Sequence, residues 1–514
     1  MNVSSTETEL KLAASDLALR RLRAHRLLRG AAPPVTTRLY SIYFDTPAFD
    51  LRRHGIALRL RGDGRGWVQT VKGGGTAQAG LHQRLELETP VAGPEPDYAG
   101  ITDPALASIF ASPRLRERLR PVFVTKVNRS IRLLELDPGT TAEASIDRGE
   151  IRAGRRSEPV SEIELELKSG DAWRLYEHAL RLLKIAPLRV ENRSKAERAY
   201  ALARPKRTAP ARSGVPAIVP AMKVGEAFKA IASVALVHLQ ANEPGTLAGH
   251  DPEYLHQMRV ALRRLRSAFR VFAPALAETA TSALVSEFRW LARALGPARD
   301  WNVFMSETLP PVVDAFSGHT GLADFADACA RQERDTARRA RRAVGSVRYH
   351  RMLLQLGGWF AREAWRAAAE PSALERLDGP VTDFAVTVLE ERYAVVRKRG
   401  RRLERQSAAQ LHRLRIAIKK LRYATDFFGA LFPHAEVRRT LSRLARLQDI
   451  LGAMNDATTA GQLARHALGE QPEKVAAEAY GILIGWGRGR AAALRAELLE
   501  AWRAYRDCGR CWRS

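Results

Sequence analysis

Two hydrophobic periods divide the chain. Up to about residue 203 the dominant spacing is two. "IALRLRG" (56–62), "WVQTVKG" (67–73), "LHQRLELET" (81–89) and "EIELELK" (162–168) alternate apolar with charged side chains. That pattern predicts strands with one apolar face. Gly62-Asp63-Gly64, Gly73-Gly74-Gly75 and Asp137-Pro138-Gly139 read as the turns between strands. Helical patches are predicted near 15–29, 104–119 and 171–186. Many short strands with Gly-rich turns argue for an antiparallel sheet or barrel.

Beyond residue 222 the spacing becomes helical, rich in Ala, Leu and Arg, which predicts an all-α region. Between the two lies "RPKRTAPARSGVPAIVPAM" (204–222), whose prolines predict a semi-extended linker. The expected division is therefore 1–203, a linker over 204–222, and helices over 223–510. The helical part repeats: "LHQMRVALRRLRSAFRVF" from Leu255 matches "LHRLRIAIKKLRYATDFF" from Leu411, and "LGPARD" from Leu295 matches "LGAMND" from Leu451. Both pairs are 156 positions apart, as a duplicated module requires. The copies fall at about 223–370 and 380–510.

Charge narrows the partners. Against 56 acidic residues stand 83 lysines and arginines, a net charge of +27. The partners this predicts are polyanions. Three cysteines give no disulfide framework, and the lone CxxC at Cys508 and Cys511 reads as inert; this composition fits a reducing cytoplasm. No apolar run reaches the ~18 residues of a bilayer span. There is no GxxxxGK[ST], and no Cys/His pair or nucleophile elbow, which argues against P-loop and covalent catalysis.

The alternation also places charges together. Glu7, Glu9 and Lys11 share a face, as do Arg59 with Arg61, Arg84 with Glu86 and Glu88, and Glu162 with Glu164 and Glu166. These faces are nearly pure Glu, Arg and Lys, without the Ser, Thr and Gln usual on a solvated face. Converging inside a barrel, the carboxylates would suit a divalent cation and the bases a multiply charged phosphate.

The ordered motifs carry a resemblance. ExExK (Glu7, Glu9, Lys11), "YFDT" (43–46), "LRLRG" (58–62), "TVKG" (70–73), "HQRLELE" (82–88), "SIDRGEIRAG" (145–154), "EIELELKSGD" (162–171) and "SKAERAY" (194–200) resemble the CYTH family of triphosphate tunnel metalloenzymes. The resemblance implies an eight-stranded antiparallel tunnel that hydrolyses inorganic triphosphate with Mg2+ or Mn2+. It assigns substrate binding to Lys11, Arg59, Arg61, Lys72, Arg84, Arg129 and Lys195. Metal binding falls to Glu7, Glu9, Glu86, Asp147, Glu162 and Glu164, and the catalytic set is Glu7, Glu9, Lys11 and Lys72. Glu88 and Glu166 rank lower, Arg38 is an extra candidate contact, and Lys126 has the wrong parity. Thiamine triphosphatase, class IV adenylate cyclase and a weakly catalytic polyphosphate-granule adaptor are the alternatives.

On the repeated helix, at about 100° per residue, His256, Arg259, Arg263 and Arg266 form one basic face opposite Met258, Leu262, Leu265, Phe269 and Phe272. His412, Arg415, Lys419 and Arg422 repeat it opposite Leu414, Ile418, Leu421 and Phe428. No glutamate relieves these stacked cations, as one would on an ordinary solvated helix. These helices and "LGxxxD" resemble the CHAD family of histidine-bearing helical modules. That resemblance implies two four-helix bundles and a basic cavity for inorganic polyphosphate, with granule association. Asp300 and Asp456 match its motif, and His350 is a weaker candidate that reads equally as packing. The faces lack the interleaved aromatics of single-strand binders, so no specific nucleic acid is expected. The predicted whole is an α+β multidomain chain.

Overall fold

A computed structural model describes residues 3–30, 32–205, 209–469 and 474–513. Among these residues nine antiparallel strands are present: β1 (Val3–Ala14), β2 (Val35–Asp45), β3 (Ile56–Gly62), β4 (Trp67–Gln78), β5 (Leu81–Val91), β6 (Arg120–Asp137), β7 (Thr140–Ala153), β8 (Arg156–Ser169) and β9 (Leu188–Val190). Their order is β5-β4-β3-β2-β6-β7-β8-β1-β9, and a further β5–β1 pairing closes the first eight into a barrel. Closure removes the exposed edges that an open sheet would leave.

Alternation explains which side of each strand faces where. Leu58 and Leu60 point outward and pack with Leu51, Ile56, Leu106 and Phe110 in an outer apolar cluster. Arg59 and Arg61 between them point inward. The helical patches cover the barrel's outside, over Asp16–Arg23, Pro104–Phe110 and α1 (Trp173–Leu183). One turn signal misleads. Gly73-Gly74-Gly75 does not end a strand; β4 runs through it with a register shift between Gly73 and Thr76. Gly74 and Gly75 have φ of +61° and +124°, so they supply a bulge that side-chain-bearing residues resist.

Helix α2 (Lys195–Ala203) starts with a capping box between Ser194 and Glu197. It is anchored through Tyr200, whose hydroxyl donates to Asp45 at 2.8 Å. Asp45 also accepts from the backbone N–H groups of Thr46, Leu51 and Arg52. "YFDT" and the end of "SKAERAY" are therefore scaffold.

The compact units differ from the sequence division. One comprises residues 1–209 with 346–364; the other comprises 210–345 with 365–514. Thus α7 (Val347–Ala361), which lies in the helical half of the sequence, belongs to the barrel unit. It packs on α1 and β9. His350 sits there, buried, accepting from Val190 N at Nδ1 over 3.3 Å. Burial, with Arg189 nearby, lowers its pKa to about 3. It is a neutral packing histidine, and its candidacy as an anion ligand falls.

Gly357 of α7 meets Tyr176 so closely that a Cβ would lie 2.3 Å from the ring. Tyr176 cannot retreat easily, since it is buried and its hydroxyl donates to the Gln78 carbonyl at 3.0 Å. Gly357→Leu gains about 1 kcal/mol of helix propensity but overpacks the contact by about 3 kcal/mol. Its denaturant midpoint should therefore drop, and an unchanged midpoint would place α7 elsewhere.

In the second unit, α3 (Val224–Ala241), α4 (Pro252–Val271), α5 (Glu278–Val303) and α6 (Thr320–Val344) pack in sequence order. So do α8 (Val381–Arg399), α9 (Ala408–Phe428), α10 (His434–Leu468) and α11 (Lys474–Arg506). Helices α4 and α9 begin 156 residues apart, as do α5 and α10, so the sequence repeat is a structural repeat. Their apolar faces are buried as predicted, including Met258, Leu265, Ile418 and Leu421. No helix among the described residues is long and apolar enough to cross a membrane.

Candidate functional site

The barrel encloses a cavity of about 1080 Å³. All seven cations named from the sequence line it: Lys11, Arg59, Arg61, Lys72, Arg84, Arg129 and Lys195. So do Glu7, Glu9, Glu86, Asp147 and Glu164. Glu162, the sixth carboxylate, is buried beside Lys195 and Arg198. Arg38 is exposed on the outward side of β2, and Lys126 is exposed too. Glu88 and Glu166, ranked lower by position, line the cavity with Glu143 and Lys168. Glu143, Lys168 and Arg198 were not legible as site residues, although Lys168 and Glu143 share inward parity with Glu166 and Asp147.

Strand register builds the contacts. Lys11 stands opposite Glu164, Asp147 opposite both Arg129 and Glu162, and Lys72 opposite Glu86. Two groups result. In the first, Arg129 reaches Asp147 at 2.6 Å and Glu164 at 2.5 Å. Lys195 reaches Asp147 at 2.7 Å and Glu164 at 2.9 Å, and also contacts Glu162. Lys11 contacts Glu164 and lies 2.8 Å from Glu9. In the second, Lys72 lies 2.5 Å from Glu7 and 3.1 Å from Glu86, while Arg61 lies 3.1 Å from Glu88.

Burial alone pushes an ionisable group toward its neutral form. Opposite charges outweigh it at Lys195, Glu164 and Asp147, whereas Arg61 is lowered by neighbouring Arg59 and by burial. Burial works against Lys195, yet Asp147, Glu162 and Glu164 hold its pKa well above the ordinary lysine value. Burial likewise works against Glu164, but Lys11, Lys195 and Arg129 hold it well below the carboxylate range. Asp147 is depressed by Lys195 and Arg129 against the same penalty. Lys195 also opens α2, where the helix dipole disfavours a cation. The carboxylate trio makes that placement tenable.

Asp147, Glu162 and Glu164 each offer an oxygen, and these oxygens lie within 4.8 Å of one another. Three hard carboxylate donors at that separation fit a small divalent cation such as Mg2+ or Mn2+.

The helical unit gathers a second charged cluster. Lys419 is half-buried, and after burial the largest influences on it are Arg263, Arg415, Arg259 and Arg266. Together they push its pKa down to about 7. His256 is lowered by burial, then by Arg299, with Arg263 and Arg259 adding. Basic faces from both copies thus converge. Relief is sparse: Arg259 meets Asp300 at 3.5 Å, and Arg263 bonds the Tyr423 hydroxyl. His256 Nδ1 and Arg415 Nε are buried without a hydrogen-bond partner among the described residues. Two predicted members are engaged elsewhere. Arg422 donates to Gln448 at 3.3 Å, and His412 bonds Asn455 at 2.8 Å, lining a separate cavity of about 1140 Å³ with Arg465, Arg488 and Arg495.

Comparison with known proteins adds independent findings. The CYTH domain model matches residues 5–200 and the CHAD domain model residues 230–465. An inorganic triphosphatase of Haemophilus influenzae is 31% identical over 202 residues, which are 39% of this chain and 56% of that protein. The match therefore spans little more than half of that relative's length. An uncharacterised protein of Mycobacterium tuberculosis is 26% identical over 435 residues, 79% of each chain. The crystal structure of the CHAD domain from the plant Ricinus communis shares 34% identity with a TM-score of 0.51, covering 59% of this chain and 98% of that one.

Proposed function

Since this chain joins a CYTH domain to a CHAD domain, we propose that it hydrolyses inorganic triphosphate in the barrel, with Mg2+ or Mn2+, and binds inorganic polyphosphate on the helical cluster. The observation that carries the first part is the shared cavity: seven cations for phosphate oxygens beside a buried trio of carboxylates for a metal. The second part rests on convergent cations and on unpartnered buried nitrogens of His256 and Arg415, an arrangement that is costly until an anion arrives.

The chain's own residues do the following. Lys11, Arg59, Arg61, Lys72, Arg129 and Lys195 are held by carboxylates in the free protein. A triphosphate draws these bases onto its oxygens, which neutralises charge that would repel an attacking water and fixes the chain of phosphates. The same movement releases carboxylate oxygens of Asp147, Glu162 and Glu164 for the cation. Glu7, Glu9 and Glu86 stand in the same cavity as further ligands or as the group that takes the water's proton. The bound metal would polarise the phosphoryl oxygens. Water attacks phosphorus, a P–O–P bridge breaks, and orthophosphate and pyrophosphate leave. No base-recognition site is needed, because the substrate has no base.

Phosphate release from triphosphate, ATP, thiamine triphosphate and long-chain polyphosphate tests the substrate. Triphosphate should be turned over fastest; ATP at an equal or higher rate would overturn this choice. Association with polyphosphate granules is the localisation this reading implies.

A further inference from the structure

His82 lies on the inward parity of β5, two positions from Arg84, and is completely buried. Its Nε2 is 3.1 Å from the Glu191 carbonyl oxygen. A carbonyl only accepts, so Nε2 carries the hydrogen and the neutral ring keeps its lone pair on Nδ1. That lone pair faces the guanidinium of Arg84, within hydrogen-bonding distance. Burial first, then Lys11 and Arg84, lowers the imidazole pKa to about 3, so the ring is neutral at neutral pH.

This sets Arg84 apart. The other six of the seven cations lie against inward carboxylates. Arg84 instead bonds a neutral acceptor. The carboxylate it meets, Glu197, is 3.4 Å away, more than half exposed, and already accepts the Ser194 N–H at 2.6 Å in the helix cap. A guanidinium oriented by a neutral acceptor keeps its full charge for an incoming anion, whereas one oriented by a carboxylate must first exchange partners. We propose that His82 is a positioning residue that aims Arg84, the least committed of the seven cations, at an outer phosphate of the substrate.

This rests on the triphosphatase reading, so binding and turnover are measured separately on the full chain. Calorimetry gives the Kd for inorganic triphosphate in wild type, H82L, H82N, R84A and the H82L/R84A double variant; phosphate release is followed in parallel. H82L and R84A should each weaken binding about tenfold. The double variant should bind no more weakly than R84A, because His82 acts through Arg84. H82N should stay within about threefold of wild type, since its Oδ1 replaces the Nδ1 acceptor. If H82L fails to fold, H82Q takes its place, keeping a donor for the Glu191 carbonyl while moving the acceptor away from Arg84. Losses that multiply in the double variant, or H82N binding as weakly as H82L, would overturn the proposal. Wild-type binding without turnover would instead overturn the hydrolase reading and leave the pair standing.

Discussion

Asp147→Asn should lower triphosphate turnover by about a thousandfold, with long-chain polyphosphate binding by the same protein unchanged. The substitution keeps the side chain's shape and removes one negative charge at the point where Arg129 and Lys195 converge, 2.6 and 2.7 Å away. It also takes one carboxylate from the buried trio that fits the metal. The stability cost needs separating from the catalytic one. Stripping a buried cation of its partner costs about 3–5 kcal/mol. Here Lys195 keeps Glu162 and Glu164, and Arg129 keeps Glu164, so folding should survive, which circular dichroism checks. Because the folded pKa values of Asp147 and Glu164 are depressed, both add stability above the ordinary carboxylate range and lose it as pH falls through the depressed values. Their charge is intact at neutral pH. Turnover within tenfold of wild type in a folded Asp147→Asn protein would remove the trio from the chemistry.

Polyphosphate affinity should fall about tenfold per pH unit above pH 7, and Lys419→Arg should abolish the slope. Lys419 faces Arg259, Arg263 and Arg266 from α4 and Arg415 from its own helix. The nearby acids are engaged by other bases: Asp300 by Arg259, and Asp456 by Arg415. The sign follows directly. In the free protein the ammonium pKa is about 7; a bound polyanion raises it. Between the two values the complex holds one more proton than its parts, so binding weakens as pH rises, and it is flat below the lower value. His256, already below its ordinary value, titrates on the acid side of that window. Affinity measured at constant ionic strength checks this, since phosphate contacts are themselves salt-dependent. A wild-type slope that persists in Lys419→Arg would assign the proton elsewhere.

What the sequence conveys, and what it hides, follows from the range of each interaction. Strand parity is local, so Glu7, Glu9 and Lys11 could be placed on one face, and the barrel brings that face inward with Arg59, Arg61, Lys72 and Arg84. The repeat offset was equally legible, because duplicated helices keep their spacing. The trio of Asp147, Glu162 and Glu164 depends on β7–β8 register, which parity alone does not fix. The Gly73–Gly75 bulge reads as a turn because bulges and turns use the same positive-φ glycines. Residues 346–364 read as part of the helical half because helical periodicity says which face is apolar, not what covers it. His82 was visible inside a quoted motif and on the correct parity. What makes it informative is the Glu191 carbonyl, 109 positions away in sequence.

The most direct test of the account is phosphate release from inorganic triphosphate by the full chain, first with Mg2+ or Mn2+ and then with excess chelator. Turnover is expected with metal, is abolished by the chelator and returns with added metal. Turnover that persists undiminished in chelator, or none with either metal, would contradict it.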